Sequence, residues 1–108
     1  MAQKKFRVDE QESGETLVLE REQTEEPRKY VVILHNDDFT TQEFVVHILT
    51  DFFHKSLSEA HQLMLKVHRE GKAKVGLYTK DIAETKVVLI SSYSRQHGMP
   101  LLISAEPE

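Results

Sequence analysis

Six consecutive residues, His35-Asn36-Asp37-Asp38-Phe39-Thr40, bring an imidazole, an amide and two carboxylates to one short stretch. They sit where an apolar run, Tyr30-Val31-Val32-Ile33-Leu34, gives way to a helical pattern. Side chains at such a junction can project into solvent or a cleft without disturbing a core. Two acids and an amide supply acceptor oxygens and negative charge, the chemistry that holds a cation, whether ammonium or metal. The competing use of Asn36-Asp37-Asp38 is an Asx-type turn that caps the following helix, a common role for these residue types.

The histidines raise the metal question first. His47, His54, His61 and His68 recur every seventh residue. That spacing places neighbours on one helix face but two turns apart, roughly 10 Å, too far to share an ion. No His-x-x-x-His pair of the metalloprotease type occurs, and Lys55-Ser56-Leu57 interrupts the pattern. Mostly solvated surface histidines are therefore expected, with no metal and no cofactor. For acid–base work, Asp37 and Asp38 are adjacent, so in extended backbone their side chains diverge. With no Gly-x-Ser-x-Gly elbow and no phosphate-cradling glycine loop, no enzymatic activity is expected. Met64, Val67 and His68 stand at i, i+3 and i+4 and share a helix face. Set beside Asn36 and Asp37, His68 would complete a ring of acceptors above an apolar hollow. Such a hollow suits an α-amino group with a hydrophobic side chain beneath it.

The elements that must position these groups follow from periodicity. Tyr30 to Leu34 is a continuous β-branched and aromatic run and predicts a buried strand. Thr40-Thr41-Gln42-Glu43 matches a capping box with Thr40 as N-cap. It opens a helix whose apolar face is Phe44, Val45, Ile48, Leu49, Phe52 and Phe53. Ser56-Leu57-Ser58-Glu59 opens a second helix, apolar at Ala60, Leu63, Met64 and Val67, with Gly71 as C-terminal cap. Lys72 to Thr79 contains polar–apolar alternation and predicts a half-exposed strand. Thr79 or Asp81 caps a third helix bearing Ile82, Ala83, Val87, Ile90 and Tyr93, which Gly98 and Pro100 end. Leu101 to Ala105 is a last strand, and Glu106-Pro107-Glu108 a frayed end. The order β-α-α-β-α-β predicts a small α+β domain, helices covering one face of a short antiparallel sheet.

At 108 residues and a formal net charge of -4, the chain holds one domain at most. Residues 1–27 are mostly charged or polar and are expected to form a flexible acidic extension, leaving 28–108 as the folded core. Within the extension, Thr16-Leu17-Val18-Leu19 could pair as a short edge strand. Absence of cysteine rules out disulfides, thiolate metal sites and a cysteine nucleophile. The apolar runs are too short to span a bilayer, and no targeting signal is evident, so a cytoplasmic location is expected. The acidic balance argues against nucleic acid as a partner.

The blocks Val31-Val32-Ile33-Leu34-His35-Asn36-Asp37-Asp38-Phe39-Thr40, Gln62-Leu63-Met64-Leu65-Lys66-Val67-His68, Ala83-Glu84-Thr85-Lys86 and Pro100-Leu101-Leu102 occur in that order. In them the chain resembles the ClpS family, adaptors that deliver N-end-rule substrates to a ClpA- or ClpC-type AAA+ unfoldase of the Clp protease. The resemblance runs from about Tyr30 to the C-terminus. It implies that Asn36 and His68 hydrogen-bond a substrate's free α-ammonium and that Asp37 assists, partly through water. It places Asp38 and Thr40 at the pocket mouth and Val45, Met64, Val67 and Leu101 in the wall that receives the first side chain. Glu84, Thr85 and Lys86 match the face that docks on the unfoldase N-domain, and the acidic tail matches an extension used in hand-over. Gln42 departs from the pattern, standing where well-known members place a methionine that gates the mouth against β-branched residues. A monomer is expected, with no membrane partner. Two other classes stay open: an interaction module that docks through the third helix without reading N-termini, and a small metal-dependent enzyme.

Overall fold

A computed structural model describes residues 28–108, so the expectations for residues 1–27, including the strand at Thr16–Leu19, lie outside the described residues. The chain runs β1 (Lys29–His35), α1 (Gln42–Phe53), α2 (Leu57–Glu70), β2 (Lys72–Thr79), α3 (Lys80–Gln96) and β3 (Leu102–Pro107). The three strands form one antiparallel sheet in the order β2-β1-β3. The expected β-α-α-β-α-β domain is thus the observed one.

β1 is central because it alone carries an unbroken apolar run, Val31 to Leu34, with Val32, Ile33 and Leu34 all buried. Val32 and Leu34 project to the face where the helices pack, meeting Ile48 and Leu49 of α1, Met64 of α2 and Ile90 of α3 in one cluster. Each such side chain removed from water contributes roughly 1.5–3 kcal/mol. α2 starts at the predicted capping box, Ser56 accepting from the Glu59 N–H at 3.1 Å. It ends at Gly71, whose φ of 90° needs a residue without Cβ.

Three local expectations are corrected. α1 is capped by Thr41, which accepts from the Phe44 N–H at 3.1 Å, and not by Thr40. Thr40 is drawn off because its hydroxyl donates to Asp37 instead. Ile82 does not join the core; it is half exposed, and Ser94 takes a buried place on α3 beside Ala83 and Ile90. The C-terminal end is not frayed: Pro107 pairs with Tyr30, and the Glu108 N–H donates to the Lys29 carbonyl at 3.0 Å. β3 is an edge strand, where proline costs no ladder bond.

Candidate functional site

The junction after β1 is fixed by one long-range backbone bond. Asn36 N–H donates to the Gly71 carbonyl at 2.8 Å, tying the residue after the strand to the turn that ends α2. Because Val67 and His68 occupy the last turn of that helix, this bond brings the two sequence-distant groups to the same place. The loop itself is wound by Asp37. Its Oδ1 accepts from the N–H groups of Phe39 at 2.9 Å and Thr40 at 2.7 Å, while Oδ2 accepts from the Thr40 hydroxyl at 2.6 Å. The Asx-type turn considered from sequence therefore exists, but it shapes the loop, and Thr41 caps the helix.

Burial alone would raise the Asp37 carboxyl. The Thr40 hydroxyl and the two N–H groups outweigh it and hold the acid below its ordinary value. Asp37 is charged at neutral pH, and since a carboxylate offers about four acceptor positions, roughly one remains for a ligand.

Loop and helices enclose a hollow of about 400 Å³ lined by Asn36, Asp37, Asp38, Phe39, Thr40, Thr41, Gln42, Val45, Met64, Val67 and His68. That volume falls within the range of about 300–1,000 Å³ usual for small-ligand sites. Its floor is apolar and dry, with Val45, Met64 and Val67 all under a tenth exposed. Its rim is wet: Asn36, Asp38, Gln42 and His68 are exposed. An apolar floor beneath a collar of acceptors, one of them anionic, can hold a cationic head group on a greasy stem.

Of the expected pocket residues, Leu101 alone does not line the hollow directly. It is buried in the same apolar cluster as Val45, Met64 and Val67, which form the floor. Two lining residues went unassigned in the sequence. Phe39, 78% exposed, was visible as the one apolar residue in a polar loop; Thr41 gave a signal only as a second possible cap.

The histidines divide. His35 Nε2 lies 2.8 Å from the Ser104 hydroxyl, and His47 is shared between Tyr93 Oη at 2.7 Å and Asp51 at 3.3 Å. These two are half-buried partners of other side chains, while His54, His61, His68 and His97 are exposed, so the histidines are mostly solvated, as expected. Among the described residues, no three His, Asp or Glu side chains gather closely enough to hold a metal.

The α3 group also divides. Glu84 and Thr85 are exposed beside a shallow hollow of about 430 Å³ that Asp81, Val88 and Leu89 complete. Lys86 turns inward. Its Nζ donates to the Phe52 carbonyl at 2.8 Å and sits 5.4 Å and 5.2 Å from the Phe53 and Tyr78 ring centres. It fastens α3 to the end of α1.

Fold and hollow together define a small α+β binding domain. The profile of the family described as ATP-dependent Clp protease adaptor protein ClpS matches residues 25–104. The chain is 45% identical over 95 residues to the ATP-dependent Clp protease adapter protein ClpS of Deinococcus radiodurans, covering 88% of this chain and 84% of that one. It is 46% identical over 95 residues to the same-named protein of Desulfatibacillum aliphaticivorans, covering 88% and 91%. The structure of Agrobacterium tumefaciens ClpS2 bound to L-phenylalaninamide superposes with a TM-score of 0.74 at 38% identity, covering 77% of this chain and all of that one. The chain belongs to the ClpS family of Clp protease adaptors. No described helix is long and apolar enough to cross a membrane.

Proposed function

We propose that the hollow binds the free α-amino group and bulky apolar first side chain (Leu, Phe, Tyr or Trp) of an N-degron protein. The adaptor then delivers that protein to a ClpA- or ClpC-type AAA+ unfoldase. One observation carries the reading: Asn36, Asp37 and His68 stand around a floor of Val45, Met64 and Val67 in a single cavity. The ligand named for the Agrobacterium relative supports it, since L-phenylalaninamide is an α-amine on a benzyl-bearing carbon with a neutral amide behind.

An α-ammonium with a pKa near ~8 is mostly charged at neutral pH. Asn36 Oδ1 and a ring nitrogen of His68 accept hydrogen bonds from its N–H groups, and Asp37 supplies the opposing charge. Each charge-assisted bond contributes roughly 1.5–3 kcal/mol, and burying a Leu or Phe side chain adds ~1.5–3 kcal/mol. After the costs of association, the complex falls on the order of micromolar, loose enough for cargo to be handed on. Asp38, Thr40 and Gln42 line the mouth.

Delivery rests on α3. Glu84 and Thr85 border an exposed patch with Val88 and Leu89, 66% and 56% exposed, which suits docking on the unfoldase N-domain. Lys86 supports that helix from behind. Residues 1–27 serve hand-over and the core, residues 28–108, carries both surfaces as a monomer in the cytoplasm.

The test is a fluorescence-anisotropy titration with a Leu-initiated peptide and its N-acetylated twin. Acetylation removes the charge and sets an acyl group against Asn36 and His68. The free peptide is expected to bind at micromolar concentration and the twin not at all. Equal binding of both, or of neither, would leave a docking module that does not read N-termini.

A further inference from the structure

The central strand is apolar on both faces, yet the main core uses only one of them. Val32 and Leu34 join the helix-covered cluster, whereas Val31 and Ile33 point the other way and are not part of it. A groove of about 740 Å³ runs over that second face, with Val31, Ile33, Leu63 and Leu77 among its lining. Leu77 is left 48% exposed there. Lysines 55, 66 and 74 line the groove from the α2 and β2 side, with Glu59 among them, and Glu106 and Glu108 line its β3 end.

We propose that residues 15–22 of this same chain, Glu-Thr-Leu-Val-Leu-Glu-Arg-Glu, dock in this groove. Leu17-Val18-Leu19 is the longest apolar run in the first 27 residues. In extended backbone Leu17 and Leu19 fall on one side, matched to the apolar floor. Glu15, Glu20 and Glu22 complement the three lysines, and Arg21 complements Glu106 and Glu108.

The tether favours this occupant over others. The β3 end of the groove lies where the chain enters the sheet, since Glu108 N–H bonds Lys29 at 3.0 Å. The eight residues from Glu20 to Pro27 span up to ~26 Å, more than the ~23 Å length of a seven-residue strand such as β1. A segment so tethered acts at an effective concentration of about millimolar, which a free partner rarely reaches. A second copy would also have to set one lysine rim against another. The docked segment holds part of the extension on the sheet face away from the recognition hollow.

Because the chain lacks cysteine, Ser13→Cys places a single nitroxide label on the full-length protein. In the isotope-labelled chain, amides of Lys66, Gly76 and Leu77 are expected to lose intensity, while those of Glu84 and Val88 keep theirs. Adding Leu17→Asp and Leu19→Asp should restore the groove signals, as should Lys66→Glu with Lys74→Glu. The dispersed core spectrum in every sample reports that the fold is retained. Unaffected groove amides in the first sample, or a loss that persists in the aspartate variant, would overturn the proposal. So would a loss seen only when nitroxide-bearing and isotope-labelled chains are mixed, which would assign the groove to a second copy.

Discussion

Asp37 directs three of its acceptor positions at its own loop, which separates its structural work from the part in recognition proposed for it. Its carboxyl is held below the ordinary value of 3.8 by the Thr40 hydroxyl and two N–H groups, against the upward pull of burial. A depressed acid stabilises the fold wherever it is ionised, and that stability disappears as pH falls through the native pKa. The stability difference between wild type and Asp37→Asn should therefore stay constant from neutrality down to about pH 5 and shrink below about 4; acid-titration circular dichroism on both proteins measures it. A difference that changes near neutrality would mean another group controls the loop. Gln42, exposed at the first position of α1, stands at the mouth of the hollow where the proposed gate would lie. Glutamine has methionine's length but a wet amide, so on the proposed reading it is expected to fend off a β-branched side chain less firmly. Gln42→Met should raise the Leu-to-Ile affinity ratio several-fold, since a methylene-sized misfit is worth about 1–3 kcal/mol. Paired peptide titrations decide the point, and an unchanged ratio would remove the gate from this position.

Elements show why some of this structure could be read from the chain and some could not. Helix α2 was fully legible, because its capping box and Gly71 are local signals that tertiary packing had no reason to override. The start of α1 was misread by one residue, since Thr40 and Thr41 are equivalent as caps until Asp37 claims the first hydroxyl. The pocket floor was visible as helical spacing at Met64 and Val67. Leu101 followed from the resemblance and not from any spacing, and it is buried in the same cluster as that floor. The inward turn of Lys86 depends on the Phe52 carbonyl, 34 positions away, and leaves no mark on the local sequence. β2 carries a further constraint. Its pairing with β1 shifts between Val32 and Ile33, and Gly76 lies there under the Tyr78 ring, whose atoms a Cβ would meet at 2.5 to 2.8 Å. Gly76→Ala should displace that ring from Lys86 and Phe53 and destabilise the fold by about 1–3 kcal/mol. Chemical denaturation would show it as a lower midpoint. A neutral result would mean that the tyrosine moves freely.

For the whole molecule, the hollow exists only while strand and helix ends are held together, so ligand binding and folding are coupled. A ligand at about a hundred times its dissociation constant adds ~2.7 kcal/mol to the native state. For a domain of this size that raises the melting temperature by roughly 10 °C or more. Calorimetry with phenylalaninamide should show the rise, and its N-acetyl derivative none. A shift equal for both would place the ligand outside the acceptor collar. The bond from Asn36 to Gly71 has a last consequence of this kind. The groups proposed to grip a passenger come from the two ends of the stretch between Asn36 and Gly71, whereas the surface offered by α3 is assembled within a few turns of one helix. On the proposed function, a copy damaged in the α2–β2 corner would arrive at the protease empty-handed, and only an intact adaptor would condemn another protein.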